Sequence, residues 1–350
     1  MTVTATIYDL TGDAVIYRDL EPCDPALPRL ADLRARLGLP AGPPPRKRNA
    51  AYARVVLALA EAAQAARGRP SLTTTAVIGD TDNDRLLAEH LRQIGPQACY
   101  GFIGEDRPVA PERLTWHGDT ANATRWHLLR GWAAELDWRG VDWARTALLI
   151  DIDKTLLGPR GRSDGAIDDA RAEGALAVAA GLASNLDVPT FRRVYGELCR
   201  RDWHDFTLDN QDYVVATALL ITTGAIGLAE LRDAVDAGVI GGFAALLAAV
   251  EPTVAPPLVA LHAELRARVA EGDPTPFKAF RRAELTATLA RMADGRLTLC
   301  SDLFELCRIL AQRGALLLAA SDKPAESALP SPEQRAAGVL PLHRMPARVD

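Results

Sequence analysis

Short apolar runs ending on Gly, Asp or Ser alternate with helix-period stretches in two separated parts of the chain. "TTTAVIGD" (73–80) and "ACYGFIG" (98–104) read as buried strands with "NDRLLAEHLRQIG" as the helix between them. "TALLID" (146–151) and "RGALLLAAS" (313–321) have the same character, and such alternation predicts a parallel α/β sheet. Upstream, residues 28–38 read as a helix and "LPAGPPPRKR" (39–48) as a Pro/Gly break. "NAAYARVVLALAEAAQAARG" reads as an Ala-rich amphipathic helix ended by Gly68. Residues 3–18 predict a hairpin around Thr-Gly-Asp, and "GVLPLHRM" (338–345) one more short strand. Residues 105–145, with Trp116, Trp126, Trp132, Trp138 and Trp143, read as a connector packed on the sheet. From about 165 to 298 the periodicity is helical throughout. The expected division is 1–160 as the N-terminal part of the core, 161–300 as an all-helical insert, and 301–350 as the C-terminal part. The first part includes the connector and the strand region 146–153.

Composition narrows the classes. With 48% apolar residues, 24% charged residues and a formal charge of −5 over 350 residues, the chain is that of a soluble globular protein. A mildly acidic balance gives no support for a nucleic-acid or membrane-surface partner. Cys23, Cys99, Cys199, Cys300 and Cys307 are scattered, without zinc-ligand spacing, and read as reduced thiols. The N-terminus lacks signal-peptide character and "GGFAALLAAV" (241–250) is too short to span a bilayer, so a cytoplasmic location is expected.

Three strand ends carry candidate chemistry. In open parallel sheets, ligands sit beyond the carboxyl ends of the strands, so segments distant in sequence can converge there. Asp151-Ile-Asp153-Lys-Thr155 offers a carboxylate nucleophile and a second acid on the same side of an extended chain. A pair of solvated loop aspartates with a Thr N-cap accounts for the same residues equally well. In "VIGDTDND" (77–84), Gly79 permits a tight turn, and Asp80 with Asp84 offers oxygens to a hard cation. The alternative is an Asp-rich turn in which Asp82 and Asn83 cap the helix; a calcium loop is disfavoured because no closing glutamate follows. In "LLLAASDKP" (316–324), Ser321 offers a hydroxyl and Lys323 a charge to a phosphate, against the reading of a simple strand-to-turn signal.

Together the three segments resemble the haloacid dehalogenase-like (HAD) phosphohydrolases. In that family one strand ends in Asp-x-Asp-x-Thr/Val, a second in Ser or Thr, a lysine lies at a helix start, and a further strand ends in Gly-Asp-x-x-x-Asp. The resemblance implies a Rossmann-like core and an aspartyl-phosphate on Asp151. It makes Asp153 the general acid/base, Thr155 the residue that orients it, and Ser321 the phosphoryl-binding hydroxyl. Mg²⁺ would be held by Asp80, Asp84, Asp151 and the backbone carbonyl of Asp153. The resemblance covers about 70–104, 146–162 and 313–345.

The motif order differs from the family's, because the Gly-Asp-x-x-x-Asp strand precedes the Asp151 strand. A circular permutation explains this, with 105–145 as the linker between the old ends and the chain closing near "PLHRM". It places the family's lysine at Lys47, with Arg46, Arg48 and Lys323 as rivals, and brings Asp80 near enough to Asp151 to share one cation. The helical insert stands where the family carries a cap over its site. Lys278 and Arg281 are its candidate substrate contacts, against the reading of a solvated charged face. "IYDLTGDAV" (7–15) faintly resembles the aspartyl-phosphate loop of P-type ATPases, but a hairpin turn explains it better. The expected activity is Mg²⁺-dependent hydrolysis of a small phosphorylated metabolite. A phosphomutase and a non-catalytic scaffold are the alternatives, and the oligomeric state is left open.

Overall fold

The computed structural model describes residues 3–95 and 97–350. In chain order the first elements are β1 (Thr4–Ala5), α1 (Tyr8–Thr11), β2 (Val15–Ile16), α2 (Leu30–Leu37) and α3 (Ala50–Ala66). Next come β3 (Thr74–Gly79), α4 (Asp82–Ile94), β4 (Ala98–Gly104), β5 (Leu114–His117), β6 (Thr120–Ala123), α5 (Leu129–Trp138) and β7 (Thr146–Ile150). The helices α6 (Gly165–Leu182), α7 (Val188–Leu198), α8 (His204–Thr207) and α9 (Gln211–Thr222) follow. They continue as α10 (Leu228–Asp236), α11 (Phe243–Val250), α12 (Val259–Ala270) and α13 (Lys278–Ala293). The chain ends with α14 (Ser301–Gln312), β8 (Leu316–Ala320), α15 (Pro332–Ala336) and β9 (Ala347–Arg348).

A seven-stranded sheet runs β2-β8-β7-β3-β4-β6-β5, parallel at every junction except the antiparallel β6–β5 edge. Every residue of β3, β7 and β8 is buried, as expected of strands with both faces covered. On one face, Val77, Leu149 and Leu318 meet Val55, Val56 and Leu59 of α3 and Leu87 of α4. Elsewhere in the core, Phe102 of β4 lies against Trp126 and Trp132, with ring centroids 6.2 and 5.8 Å away.

Three expectations are corrected. The N-terminal hairpin does not form: β1 pairs antiparallel with β9, and β2 pairs parallel with β8. Between them, the Thr6 N–H donates to Asp9 Oδ2 (2.7 Å) and the Asp9 N–H to Thr6 Oγ1 (3.0 Å), a reciprocal cap that winds α1 where a strand was expected. The strand at 338–345 is a single 3₁₀ turn at Leu342–Arg344, because Pro341 and Pro346 bracket it without N–H donors and β2 already occupies the position beside β8. Segment 105–145 is more than a connector. Its β5–β6 hairpin extends the sheet beyond β4, turning at Gly118-Asp119.

The chain divides into two compact units, Met1–Asp169 with Thr288–Asp350, and Ala170–Ala287. The second lies within the 161–300 span and is helical. Its core includes Phe191, Trp203, Phe243, Phe277 and Phe280. Among the described residues, no helix is long and apolar enough to cross a membrane.

Because β7 is hydrogen-bonded on both sides and buried on both faces, its side chains have nowhere to relax. Leu149→Ala is expected to lower stability by about 2–5 kcal/mol, measured by urea denaturation. A loss below 1 kcal/mol would mean that the site collapses around the cavity.

Candidate functional site

Ile150 closes β7, yet the ladder continues one residue further, with the Asp151 N–H donating to the Ile78 carbonyl (2.9 Å). The chain then turns sharply. Lys154 takes a left-handed conformation (φ 62°), which costs an L-residue energy, and the Leu157 N–H closes on the Ile152 carbonyl at 2.8 Å. This reversal returns Thr155 to the strand tip. Its hydroxyl is buried between Asp151 Oδ2 (3.2 Å) and Asp80 Oδ1 (3.3 Å). Thr155 therefore contacts Asp151 and Asp80.

The next strand over, β3, ends at Gly79. A Cβ there would lie 2.1 Å from Asp84 Cγ, so only glycine leaves room for that carboxylate. Asp84 Oδ2 accepts from the Thr81 hydroxyl (2.8 Å), the Thr81 N–H (3.1 Å) and the Asp80 N–H (3.3 Å). The capping of α4 thus belongs to Thr81 and Asp84, not to Asp82 and Asn83. With Oδ2 committed to the helix start, Oδ1 faces Lys47.

Lys47 lies in a turn ahead of α3, closed by the Arg46 N–H donating to Asn49 Oδ1 (2.9 Å). Its Nζ sits 2.5 Å from Asp84 Oδ1 and 2.7 Å from Asp151 Oδ1, and the residue is 3% exposed. Burial alone would lower its pKa, but the carboxylates of Asp151 and Asp84 outweigh burial and hold it well above the usual lysine range. The other candidates lie elsewhere. Arg46 reaches Asp322 at 3.6 Å, and Arg48 offers its carbonyl to His90.

Asp80, Asp84 and Asp151 each place an oxygen within 4.8 Å of the others. Against these three acids stand two cations, Lys47 and Arg160; the Arg160 Nε donates to Asp80 Oδ2 at 2.6 Å. Burial, together with the charges of Asp84 and Asp80, pushes Asp151 well above the carboxylate range despite Lys47. Burial also lifts Asp80 to about 6, opposed by Arg160. Three carboxyl groups converging in a buried place suit a hard divalent cation bound through oxygens, whose charge would offset the burial that now favours their protonated forms.

Asp153 stands apart from that trio. Its Oδ2 pairs with Lys323 Nζ at 3.1 Å, while Oδ1 is buried without a hydrogen-bond partner among the described residues. Ser321, one residue beyond β8, is buried; its N–H donates to the Ile16 carbonyl (3.0 Å) and its Oγ accepts from the Lys323 N–H (3.2 Å). The P-type-like Asp9 is exposed and serves the α1 cap.

Lys278 and Arg281 belong to the helical unit, where their charges are met locally. Lys278 Nζ lies 3.0 Å from Asp273 Oδ2 and 2.8 Å from Thr275 Oγ1. Arg281 is 3% exposed, donating to Asp212 Oδ2 (2.7 Å) and Glu284 Oε2 (2.9 Å). Arg281 thus sits in a buried ion network and Lys278 in a half-buried pair, neither of them on a solvated charged face.

Three site residues were not singled out from the sequence. Arg160 follows the Asp151 turn in "GPRGR". Asp322 receives the Lys47 N–H (3.4 Å). Tyr52 is fully buried in the first turn of α3, close enough to feel Lys47, Asp322, Asp151 and Asp84, and its hydroxyl has no partner among the described residues. Its signal was the spacing from Lys47, which brings a helix's first turn over the loop before it. No protein-family model, curated protein or solved structure matches the chain.

Lys47→Met would leave Asp84 and Asp151 buried without their shared counter-charge. Urea denaturation of the metal-free protein at pH 7 is expected to show a loss of about 3–5 kcal/mol. Asp151 already titrates higher folded than unfolded, and loss of Lys47 raises it further. Between the wild type's raised value and the variant's still higher one, only the folded variant holds this proton, so the deficit shrinks as pH falls through that interval and is constant below it. A deficit that stays constant over the whole range from pH 9 to pH 5 would contradict this.

Proposed function

We propose that this protein is a Mg²⁺-dependent phosphohydrolase acting on a small phosphate monoester, with Asp151 as nucleophile. On this reading it has a HAD-like core in circularly permuted order, and the helical unit is its cap. The observation that carries the reading is convergence. Lys47 and Asp151 meet across 104 residues, Thr155 and Asp80 across 75, and Lys323 and Asp153 across 170, all beyond the carboxyl ends of β3, β7 and β8. Chance loop aspartates have no reason to gather there with a buried lysine.

In the proposed reaction, an Asp151 oxygen attacks phosphorus while the ester oxygen departs, and Asp153 in its acid form supplies the leaving oxygen's proton. Asp153 then takes a proton from water, the water oxygen attacks the aspartyl-phosphate, and inorganic phosphate and free Asp151 result. Thr155 and Lys47 fix the Asp151 carboxylate on both of its oxygens, so attack needs little reorganisation. Lys323 positions Asp153, and Ser321 supplies a hydroxyl to the phosphoryl oxygens. Mg²⁺ held by Asp80, Asp84 and Asp151 would neutralise phosphate charge. Under the permutation, β2 takes the position beside β8 that 338–345 was expected to fill.

The test is phosphate release from a panel of monoesters, with and without Mg²⁺. Activity is expected to require the metal and to fall at least about 10³-fold in Asp151→Asn. Equal turnover by the two proteins would rule out Asp151 as nucleophile.

A further inference from the structure

Arg160 caps the acidic cluster from the solvent side. Nε and Nη2 approach a single oxygen, Asp80 Oδ2, at 2.6 and 2.5 Å. The Asp80 side chain is 3% exposed, whereas that of Arg160 is 33% exposed. The guanidinium therefore closes the carboxylate off while keeping part of its own surface in water.

The backbone that carries it is held from several directions. The Arg160 N–H donates to the Lys154 carbonyl (2.8 Å), and the Arg160 carbonyl accepts from the Asp106 N–H (2.9 Å) and from Trp126 Nε1 (3.0 Å). Gly161 adopts φ +84°, and a Cβ there would lie 2.1 Å from the Asp106 carbonyl oxygen. Arg162 then ties the loop to Asp106 and Asp302, at 2.7 Å each. With the main chain so fixed, rotation of its own side chain is the freedom left to Arg160. Besides Asp80, the acids that act on it are Asp164 and Glu105.

We infer that Arg160 is a resident counter-ion of Asp80 which a divalent cation displaces, and that the released guanidinium then engages the phosphoryl oxygens of the substrate. Asp80 cannot serve both partners at full strength, since a guanidinium and a divalent cation on one carboxylate repel each other. A guanidinium fork fits phosphate oxygens by paired hydrogen bonds, which a lysine cannot reproduce. Cation uptake therefore precedes phosphate binding. This inference rests on the phosphohydrolase reading of the cluster.

The experiment uses metal-free full-length protein, with Mn²⁺ uptake followed by electron paramagnetic resonance and inorganic phosphate binding to the Mn²⁺-loaded protein by calorimetry. Arg160→Gln is expected to bind Mn²⁺ about tenfold more tightly than wild type, a common size for coupled sites, and phosphate about tenfold more weakly. Arg160→Lys keeps the charge without the fork, so Mn²⁺ affinity should stay near wild type while phosphate binding weakens. It also serves if the glutamine variant folds poorly. If wild type takes up Mn²⁺ and Arg160→Gln binds it no more tightly, the displacement is overturned while the metal reading stands. Unchanged phosphate affinity in both variants overturns the transfer to substrate. No Mn²⁺ uptake by any of the proteins overturns the metal reading, and the inference with it.

Discussion

Lys47 is the hinge of the arrangement. A buried ammonium within 2.7 Å of two carboxylates, one in the first turn of α4 and one just beyond β7, fixes where β3 and β7 end relative to the loop before α3. Remove that charge and two acids are left in a place that water does not reach. Keep it, and three acids face two cations, so ionising all three calls for one more positive charge. That imbalance makes the strand tips receptive to a further positive charge without exposing them. The interaction is costly in isolation, since desolvating an ion pair consumes much of its attraction. Here the expense is spread over hydrogen bonds from Thr155, Thr81 and the Asp80 amide.

What could be read from the sequence was what local pattern determines. The strands at 74–79, 98–104, 146–150 and 316–320 announced themselves as apolar runs between helical periods, and their polar ends marked the site. Gly79 and Asp84 were legible as a turn followed by an acid, although the closeness that requires glycine was not. The N-terminal hairpin failed because "TIYD" contains its own helix-starting pair, Thr6 and Asp9, inside a β-rich composition. The β5–β6 hairpin was missed because four-residue strands, one carrying Trp116, give too short an alternation to stand out from a loop.

Charged residues were the hardest to place. In the sequence, Arg281 looks like part of a basic run available to a ligand; in the fold its partner is Asp212, 69 residues earlier, and the pair is buried, with the guanidinium over the Phe280 ring. Arg160 presents the reverse case. It stands in an unremarkable Gly/Pro/Arg turn, and only the neighbouring strand shows which acid it meets. Neither pairing has a local signature, since both depend on how distant elements are brought together.

Asp84 shows how closely the parts are joined. One oxygen of its carboxylate completes the first turn of α4, and the other faces the lysine at the centre of the cluster. A single side chain thus serves as both architecture and chemistry. For an evolving lineage these two demands cannot be traded separately: a change that retunes the acid also frays a helix, and a change that relieves the helix disarms the acid. Such a position is free to vary only together with its neighbours, and the glycine that makes room for it is held by the same constraint.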